Sequence, residues 1–202
     1  EMSWNNVEDF HKKGYIKQML EVVQYINDEG YVWRDVKPTN FVFFGDEKKG
    51  GLKAIDFDIS LPKGTEIQDS QATALYTPPE FATFYINSAP KKLYINATYD
   101  SWSMGMIILE MMLNQHYIKM EREKNLPNCA DSVSHEDILQ RIAHESFLKN
   151  IHDFIESHYK NKSFSFPIFS SLLCESSTRK SAKEILKESC FQFDGTSKTK
   201  KW

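Results

Sequence analysis

Three features that often narrow the function of a chain are scarce in these 202 residues: cysteines, long apolar runs and charge of one sign. The three cysteines are odd in number and far apart, so the sequence predicts neither a disulfide framework nor a zinc site. The longest apolar run, 104–113, is interrupted by Glu110 and is too short to cross a bilayer. The net charge of -3 gives no reason to expect nucleic acid or an acidic membrane as a partner.

What is present is the composition of an ordinary globular domain. Hydrophobic residues make up 41% of the chain and charged residues 26%, both close to the averages for folded proteins. A chain of this length can form one domain that buries about 70% of its unfolded surface. Apolar residues spaced three and four apart predict an amphipathic helix over 13–30, with Gly30 at its end.

The most informative stretch is 31–58, where two short apolar runs flank a turn rich in glycine and lysine. This pattern predicts an antiparallel hairpin, which brings the entry of its first strand beside the exit of its second. Polar side chains stand at those two points: Asp35, Lys37 and Asn40 before the first strand, and Asp56 after the second. Such a set suits a hard cation that carries a polyphosphate, and therefore phosphoryl transfer.

The same stretch resembles the catalytic and metal-binding loops of eukaryotic protein kinases. The pattern of that family is His-Arg-Asp-Leu-Lys-Pro-x-Asn, followed further on by Asp-Phe-Gly. Here the two motifs are Trp33-Arg34-Asp35-Val36-Lys37-Pro38-Thr39-Asn40 and Asp56-Phe57-Asp58. The resemblance continues to about Lys187 and therefore covers most of the chain.

The resemblance implies a role for each polar residue of the two loops. Asp35 would be the catalytic base, and Lys37 would neutralise the phosphoryl group of ATP during transfer, as in serine/threonine kinases. Asn40 and Asp56 would be the protein ligands of Mg2+, and Val42 would lie under the adenine ring. The alternative from the residues alone is that Asp35 and Asn40 cap backbone groups in a turn; Lys37 and Asp56, which also fall in register, favour the kinase interpretation.

Two residues depart from the kinase pattern. Trp33 replaces a histidine that packs against the residue equivalent to Phe57. Tryptophan can fill that apolar space but is not expected to make the same hydrogen bond. Asp58 replaces a glycine, so its side chain should restrict the backbone of the loop and add negative charge near the metal. Neither change removes a catalytic functional group.

Residues 59–80 resemble the activation segment of these kinases and are predicted to form a loop, because polar residues dominate without periodicity. Thr73 matches a threonine that bonds the catalytic residues beneath a protein substrate. Arg34 marks the kinases that are often switched by phosphorylation of this loop, because an arginine there can pair with a phosphate. The candidate acceptors are Thr65 and Ser70, although the ordinary polarity of a loop also explains them.

Two further matches lie outside the loops. Glu80, in a Pro-Pro-Glu stretch, should pair with Arg179, and removing one partner of such a buried pair would cost roughly 3–5 kcal/mol. Asp100 matches the motif Asp-x-Trp-Ser-x-Gly at the start of a helix predicted over 99–114, which is apolar nearly all round and therefore buried. Asp100 is expected to cap this helix and to brace the catalytic loop.

The rest of the chain is predicted to be helical. C-terminal helices are expected over 135–190, with the last two at 167–173 and 181–186, before a basic tail over 191–202. We therefore predict a mainly α fold with a small antiparallel β-hairpin. The resemblance implies that residues 1–190 form the large C-terminal lobe of a protein kinase without its small N-terminal lobe.

The small lobe of a kinase covers the ATP phosphates with a Gly-x-Gly-x-x-Gly turn, and none of the eight glycines forms one. The resemblance implies a serine/threonine kinase lobe that uses Mg2+ and ATP once a small lobe, upstream or in another chain, completes it. Alone, the chain is expected to be weakly active or inactive. The alternatives are a pseudokinase-like, non-catalytic scaffold in a larger assembly and a kinase-like small-molecule phosphotransferase, which Thr73 and Arg179 disfavour.

The expected partners and location follow from this interpretation. We expect a protein substrate or a protein partner, and neither nucleic acid nor a membrane. The chain shows no secretory leader, so a reducing, ATP-containing compartment is expected, cytoplasmic or nuclear. Because the sequence begins with Glu1 rather than Met, it is expected to be a piece of a longer chain.

Overall fold

The computed structural model describes residues 9–45, 51–69, 71–87, 92–120 and 134–191. Within these residues the chain is mainly helical, with two small antiparallel β-sheets. The predicted fold class is therefore confirmed. In the part of the chain that the structure covers, no helix combines the length and the apolar character needed to cross a membrane.

The first helix, α1, spans Asp9–Asp28 and corresponds to the helix predicted over 13–30. It ends two residues before Gly30, whose left-handed φ of 90° allows the chain to turn into the next strand. The predicted apolar face of α1 is buried in the main core. Its members are Ile16, Met19, Leu20, Val23 and Ile26.

The predicted hairpin is present as β2, Phe41–Phe44, and β3, Gly51–Ala54, which pair with Phe41 opposite Ala54. A second small sheet joins β1, Tyr31–Val32, to β4, Leu61–Pro62. Sequence patterns did not predict this pair, because two-residue strands carry no alternation of polar and apolar residues. The pairing holds the start of the activation segment beside the chain that enters the catalytic loop.

The central helix, α3, spans Thr98–Leu113 and is buried along most of its length, as predicted. A Cβ added at Gly105 would lie 2.7 Å from the Leu173 side chain and 3.0 Å from that of Leu172. Glycine therefore lets the C-terminal part of the lobe approach α3 closely. The helix before it, α2, spans Pro79–Asn87 and covers a stretch for which no element was predicted.

Among the described residues from 134 onward, the chain forms four shorter helices. The apolar residues at helical spacing in the region after 135 lie in separate helices, because the backbone becomes extended at His144. Ser134 and Ser181 each begin a helix with a reciprocal capping box, which satisfies backbone N–H groups that would otherwise lack partners. The four helices are α4, His135–Ala143; α5, Phe147–Tyr159; α6, Ser165–Leu172; and α7, Ala182–Ile185.

Candidate active site

The backbone of the catalytic loop is held by the carboxylate of Asp100, which is fully buried in α3. This carboxylate accepts hydrogen bonds from the backbone N–H groups of Trp33 and Arg34 and from the side-chain amide of Asn27, each at 2.9 Å. Burial raises the pKa of Asp100 to about 6, although the three donors act in the opposite direction. The bonds keep Arg34 in the left-handed region, at a φ of 67°.

Asp100 does not cap α3, so that part of its predicted role is wrong. The helix begins at Thr98, and the residue before it, Ala97, makes no side-chain capping bond. Asp100 lies inside the first turn, and its two oxygens already accept the three donors of the loop. The predicted brace of the loop is therefore present, and the predicted cap of the helix is not.

The Asp35 carboxylate is the point at which the catalytic loop and the activation segment meet. Its Oδ2 accepts the Lys37 ammonium at 2.7 Å and the Asn40 amide at 2.8 Å, and its Oδ1 accepts the Thr73 hydroxyl at 2.6 Å. The residue is 7% exposed, so these bonds form in a medium that strengthens them. A short 3-10 helix, Pro38–Asn40, turns the chain so that Asn40 faces back toward Asp35.

Asn40 and Asp56 lie at the same end of the hairpin, as predicted. The backbone N–H of Ile55, next to Asp56, donates to the Asn40 carbonyl at 3.0 Å. The Asn40 side-chain amide donates to the backbone carbonyl and to the carboxylate of Asp35. Its side-chain oxygen therefore remains as an acceptor. No described residue donates a hydrogen bond to that oxygen or to the exposed Asp56 carboxylate.

This donor set fits a hard cation that also binds phosphate oxygens. Mg2+ is usually held by one or two protein oxygens together with water and phosphate, rather than by a complete protein cage. Asn40 and Asp56 can offer one neutral and one anionic oxygen. Among the described residues, no group of three or more His, Cys, Asp or Glu side chains could hold a metal ion by itself.

Trp33 makes a hydrogen bond that was not expected of a tryptophan at this position. Its indole Nε1 donates to the backbone carbonyl of Asp56 at 2.7 Å. The ring is fully buried, stacks on Phe57 at a centroid distance of 5.4 Å and meets Phe41 edge-on at 5.2 Å. Trp33 therefore fills the apolar space, as expected, and its indole also reaches the backbone carbonyl of Asp56.

Arg34 connects the catalytic loop to the activation segment. Its guanidinium donates to the Asp69 carboxylate at 2.7 Å and to the backbone carbonyls of Ile59 and Gln71 at 3.1 Å each. Although burial by itself lowers the pKa of Arg34, the bond to Asp69 raises it above its usual value, and Arg34 in turn lowers the pKa of Asp69. The position at which Arg34 was expected to meet a phosphate is therefore occupied by a carboxylate.

Asp69 was missed from the sequence because a single acidic residue in a polar loop carries no pattern. Of the two candidate phosphate acceptors, Thr65 donates its hydroxyl to the Pro62 carbonyl at 2.7 Å, and Ser70 lies outside the described residues. No described contact joins Thr65 to Arg34. The signal in the sequence that pointed to an anion in the activation segment was Arg34, because a buried arginine needs a negatively charged partner.

The predicted pair of Glu80 and Arg179 is present. Two guanidinium nitrogens of Arg179 donate to the two oxygens of Glu80 at 2.7 and 3.1 Å. Arg179 also donates to the backbone carbonyls of Cys174 and Thr98 and lies over the Trp102 ring at 4.9 Å. The pair therefore joins the end of the activation segment to the C-terminal helices through a buried cation.

Apolar side chains near the site remain exposed to solvent. Val42, the residue expected under adenine, is 41% exposed on the outer face of the hairpin, where Phe44 is 63% exposed. Phe57 is 47% exposed at the edge of a groove of about 550 Å³ between α1 and β3. The half of the site that would face a nucleotide is thus open and apolar.

The motifs and this geometry define a class of protein. The family model for the protein kinase domain matches residues 4–191, which is nearly the whole chain. The chain belongs to the protein kinase family.

Individual relatives agree with that assignment. The chain is 32% identical over 134 residues to a probable serine/threonine-protein kinase of Dictyostelium discoideum, an alignment that covers 59% of this chain and 19% of the relative. It is 36% identical over 106 residues to the serine/threonine-protein kinase mph1 of Schizosaccharomyces pombe, covering 48% and 15%. It is 37% identical over 107 residues to the dual specificity protein kinase Ttk of Danio rerio, covering 50% and 10%. The chain therefore spans no more than a fifth of the length of these relatives.

Proposed function

We propose that the chain is the catalytic lobe of a serine/threonine protein kinase, which transfers the γ-phosphate of ATP to a protein hydroxyl when a small lobe completes it. The observation that carries this proposal is the convergence of Lys37, Asn40 and Thr73 on the single carboxylate of Asp35. A general base, a cation for the moving phosphoryl group and an anchor for the substrate segment then share one point. Positioning and charge neutralisation supply most of the catalysis in phosphoryl transfer.

Each residue has a role that its contacts support. Asp35 would accept or orient the proton of the attacking hydroxyl, which would replace one of its present donors. Lys37, whose ammonium already lies 2.7 Å from Asp35, would neutralise charge on the transferring group. Thr73 would hold the segment that receives the protein substrate. Asn40 and Asp56 would bind Mg2+, and Mg2+ bound there would neutralise negative charge on the phosphates.

The apolar face beside the site supports the proposal that a second lobe completes it. We define this face by its exposed side chains: Tyr25, Val42, Phe44, Ile55 and Phe57, between 41% and 67% exposed. Apolar side chains that remain exposed around a candidate site are available to a second protein surface. A small lobe that packs there would enclose the nucleotide between itself and Val42, in an ATP-containing and therefore intracellular compartment.

A non-catalytic scaffold is the second candidate function. Asp58, in place of the glycine of the kinase pattern, is exposed beside Asp56 and adds negative charge where phosphates would bind. In a scaffold the apolar face would bind a partner protein rather than complete an active site. Retention of Asp35, Lys37 and Asn40 in bonded positions favours the kinase.

A transfer assay with radioactive ATP, Mg2+ and a generic protein substrate separates the two candidates. We expect very weak or no turnover by these 202 residues alone, because half of the electrostatic environment of the nucleotide is absent. The lobe supplied with a small lobe should be active. Asp35→Asn should then lower the rate by roughly 10²–10⁴-fold. Turnover that survives this substitution would contradict the role of Asp35, and no turnover in any form would favour the scaffold.

A further inference from the structure

Two residues of the candidate site have left-handed backbone conformations that non-glycine residues rarely adopt. They are Arg34, with a φ of 67°, and Asp56, with a φ of 65°. Such conformations persist where the surroundings hold them in place. Arg34 is held by Asp100 through its backbone N–H. Asp56 accepts the indole N–H of Trp33 at its backbone carbonyl.

Trp33 joins the backbone of one loop to the backbone of the other. Its own N–H donates to Asp100 at 2.9 Å, and its carbonyl accepts the hydroxyl of Ser60 at 3.3 Å. Its indole N–H donates to the Asp56 carbonyl at 2.7 Å, which is at the short end of the range for N–H···O bonds. Because the ring is fully buried, it cannot move away from Asp56 without leaving a cavity in a packed core.

We propose that Trp33 is a positioning residue for the Mg2+ site. The indole N–H fixes the Asp56 carbonyl and thereby the left-handed turn from which the Asp56 carboxylate extends at the same end of the hairpin as Asn40. This inference rests on the proposed function, which assigns Asn40 and Asp56 as the metal ligands. Loss of a hydrogen-bond partner that orients a ligand typically weakens metal binding by about 10–100-fold.

Space filling alone would assign a different role to Trp33. Phe57 stacks on the ring and Phe41 meets its edge, and a phenylalanine at position 33 would keep much of both contacts. The two roles differ by the indole N–H, so Trp33→Phe tests them directly. If the ring only fills space, Trp33→Phe will lower stability without a specific effect on the binding of Mg2+.

Trp102 offers a matched control. It is also fully buried, and its Nε1 has no hydrogen-bond partner among the described residues. Trp102→Phe therefore makes the same chemical change, in a comparable environment, without removing a bond to the metal loop. The Trp102 ring contacts Arg179, which pairs with Glu80 and is not one of the proposed metal ligands.

The measurement is the melting temperature of the 202-residue chain with a fixed concentration of ADP while Mg2+ is titrated. Ligand that binds the folded chain raises the melting temperature, so the titration gives the Mg2+ concentration at half effect. We expect Trp33→Phe to raise that concentration about tenfold and Trp102→Phe to change it by less than about twofold. Equal shifts in the two variants would overturn the positioning role and leave the metal site intact. No Mg2+-dependent stabilisation of the unsubstituted chain would overturn the proposed metal site as well.

A second measurement covers the case in which Trp33→Phe does not fold. In 15N-labelled unsubstituted protein, each of the four indole N–H groups gives its own NMR signal. Trp102→Phe assigns the signal of the control residue, and Trp4→Phe and Trp202→Phe assign two more, so that the remaining signal belongs to Trp33. With ADP present, we expect Mg2+ to shift the Trp33 indole signal and to leave that of Trp102 unchanged. A Trp33 signal that does not respond, in a protein whose melting temperature rises with Mg2+, would overturn the inference.

Discussion

The polar groups around Asp35 and the apolar face beside them differ in where their partners lie. The polar groups find their partners within the lobe, whereas the apolar side chains remain exposed to solvent. The carboxylates of Asp35 and of Asp100, in α3, each accept three hydrogen bonds from groups within the lobe. On the face, Tyr25 and Phe44 are 67% and 63% exposed. The two buried carboxylates have their hydrogen-bond partners within the lobe, whereas these exposed apolar side chains have no cover among the described residues.

The difference follows from the two kinds of surface. A buried polar group needs its partner inside the same fold, because an unpaired buried charge costs several kcal/mol. An exposed apolar side chain costs a single domain little and becomes favourable when another surface covers it. Substitutions in the loops should therefore change the stability of the lobe, and substitutions on the face should change its association.

The largest expected effect comes from breaking the buried pair of Glu80 and Arg179. The Arg179 side chain is fully buried, so Arg179→Ala leaves Glu80 and two backbone carbonyls without their cation. We expect a loss of roughly 3–5 kcal/mol in the free energy of unfolding, measured by urea denaturation. Lys149→Ala, which breaks an exposed ion pair with Asp153, is the control and should cost less than about 1 kcal/mol. Similar losses in both variants would remove the distinction between the interior and the surface.

The next effect is a pH dependence caused by His116, which is 4% exposed. Its Nε2 lies 3.1 Å from the Leu75 carbonyl, and its Nδ1 accepts the Ile118 N–H at 3.3 Å, so only the neutral ring satisfies both. Burial lowers the pKa of His116 to about 4, and the positive charge of Lys119 adds to this. The unfolded chain binds the proton near pH 6.5, so this stabilisation is complete above that pH and is lost as the pH falls toward 4.

The predicted loss from His116 between pH 7 and 5 is about 2 kcal/mol. The contribution of His116 is isolated by measuring the free energy of unfolding of the unsubstituted chain and of His116→Gln at both pH values. Asp100, with its pKa raised to about 6, contributes with the opposite sign, because its stabilisation falls as the pH rises from about 4 to 6; it is common to both proteins and cancels. An equal change with pH in the two proteins would refute the prediction.

A smaller effect is expected at Asp69, which is 41% exposed in its pair with Arg34. Asp69→Asn leaves the buried guanidinium with backbone carbonyls alone, and we expect a loss of about 1 kcal/mol after allowance for solvent screening. Hydrogen exchange should also speed up over 59–71, where Arg34 bonds the backbone. The control is Asp153→Asn at an exposed position of α5, for which unchanged exchange over 59–71 is expected. Unchanged exchange in both variants would show that Asp69 does not order the segment.

The smallest expected effect on stability lies on the apolar face. Tyr25→Ser should change the free energy of unfolding of the lobe by less than about 0.5 kcal/mol, because the side chain already faces solvent. The same change should weaken binding of an added small lobe, measured by titration calorimetry. Tyr94→Ser, at a side chain that is 50% exposed elsewhere, should leave this binding unchanged. A large loss of stability from Tyr25→Ser would show that the face is already packed within the lobe.

Motif order made the loops and the distant pair predictable before the fold was known. Asp35, Asn40 and Asp56 were expected to converge because a hairpin joins their two loops, and Glu80 was expected to meet Arg179 because each stood in a motif. Contacts made by single residues without a pattern were not predictable. Asn27 and Asp69 belong to this group, as does the short sheet that joins β1 to β4.

The sequence by itself determined the first helix, the central helix, the hairpin and the set of functional groups, because periodicity and motif spacing are local properties of the chain. Only the tertiary structure decided which donor each buried carboxylate accepts and that the Trp33 indole reaches Asp56. Those choices depend on packing between segments far apart in sequence, where a difference of an ångström determines whether a hydrogen bond forms.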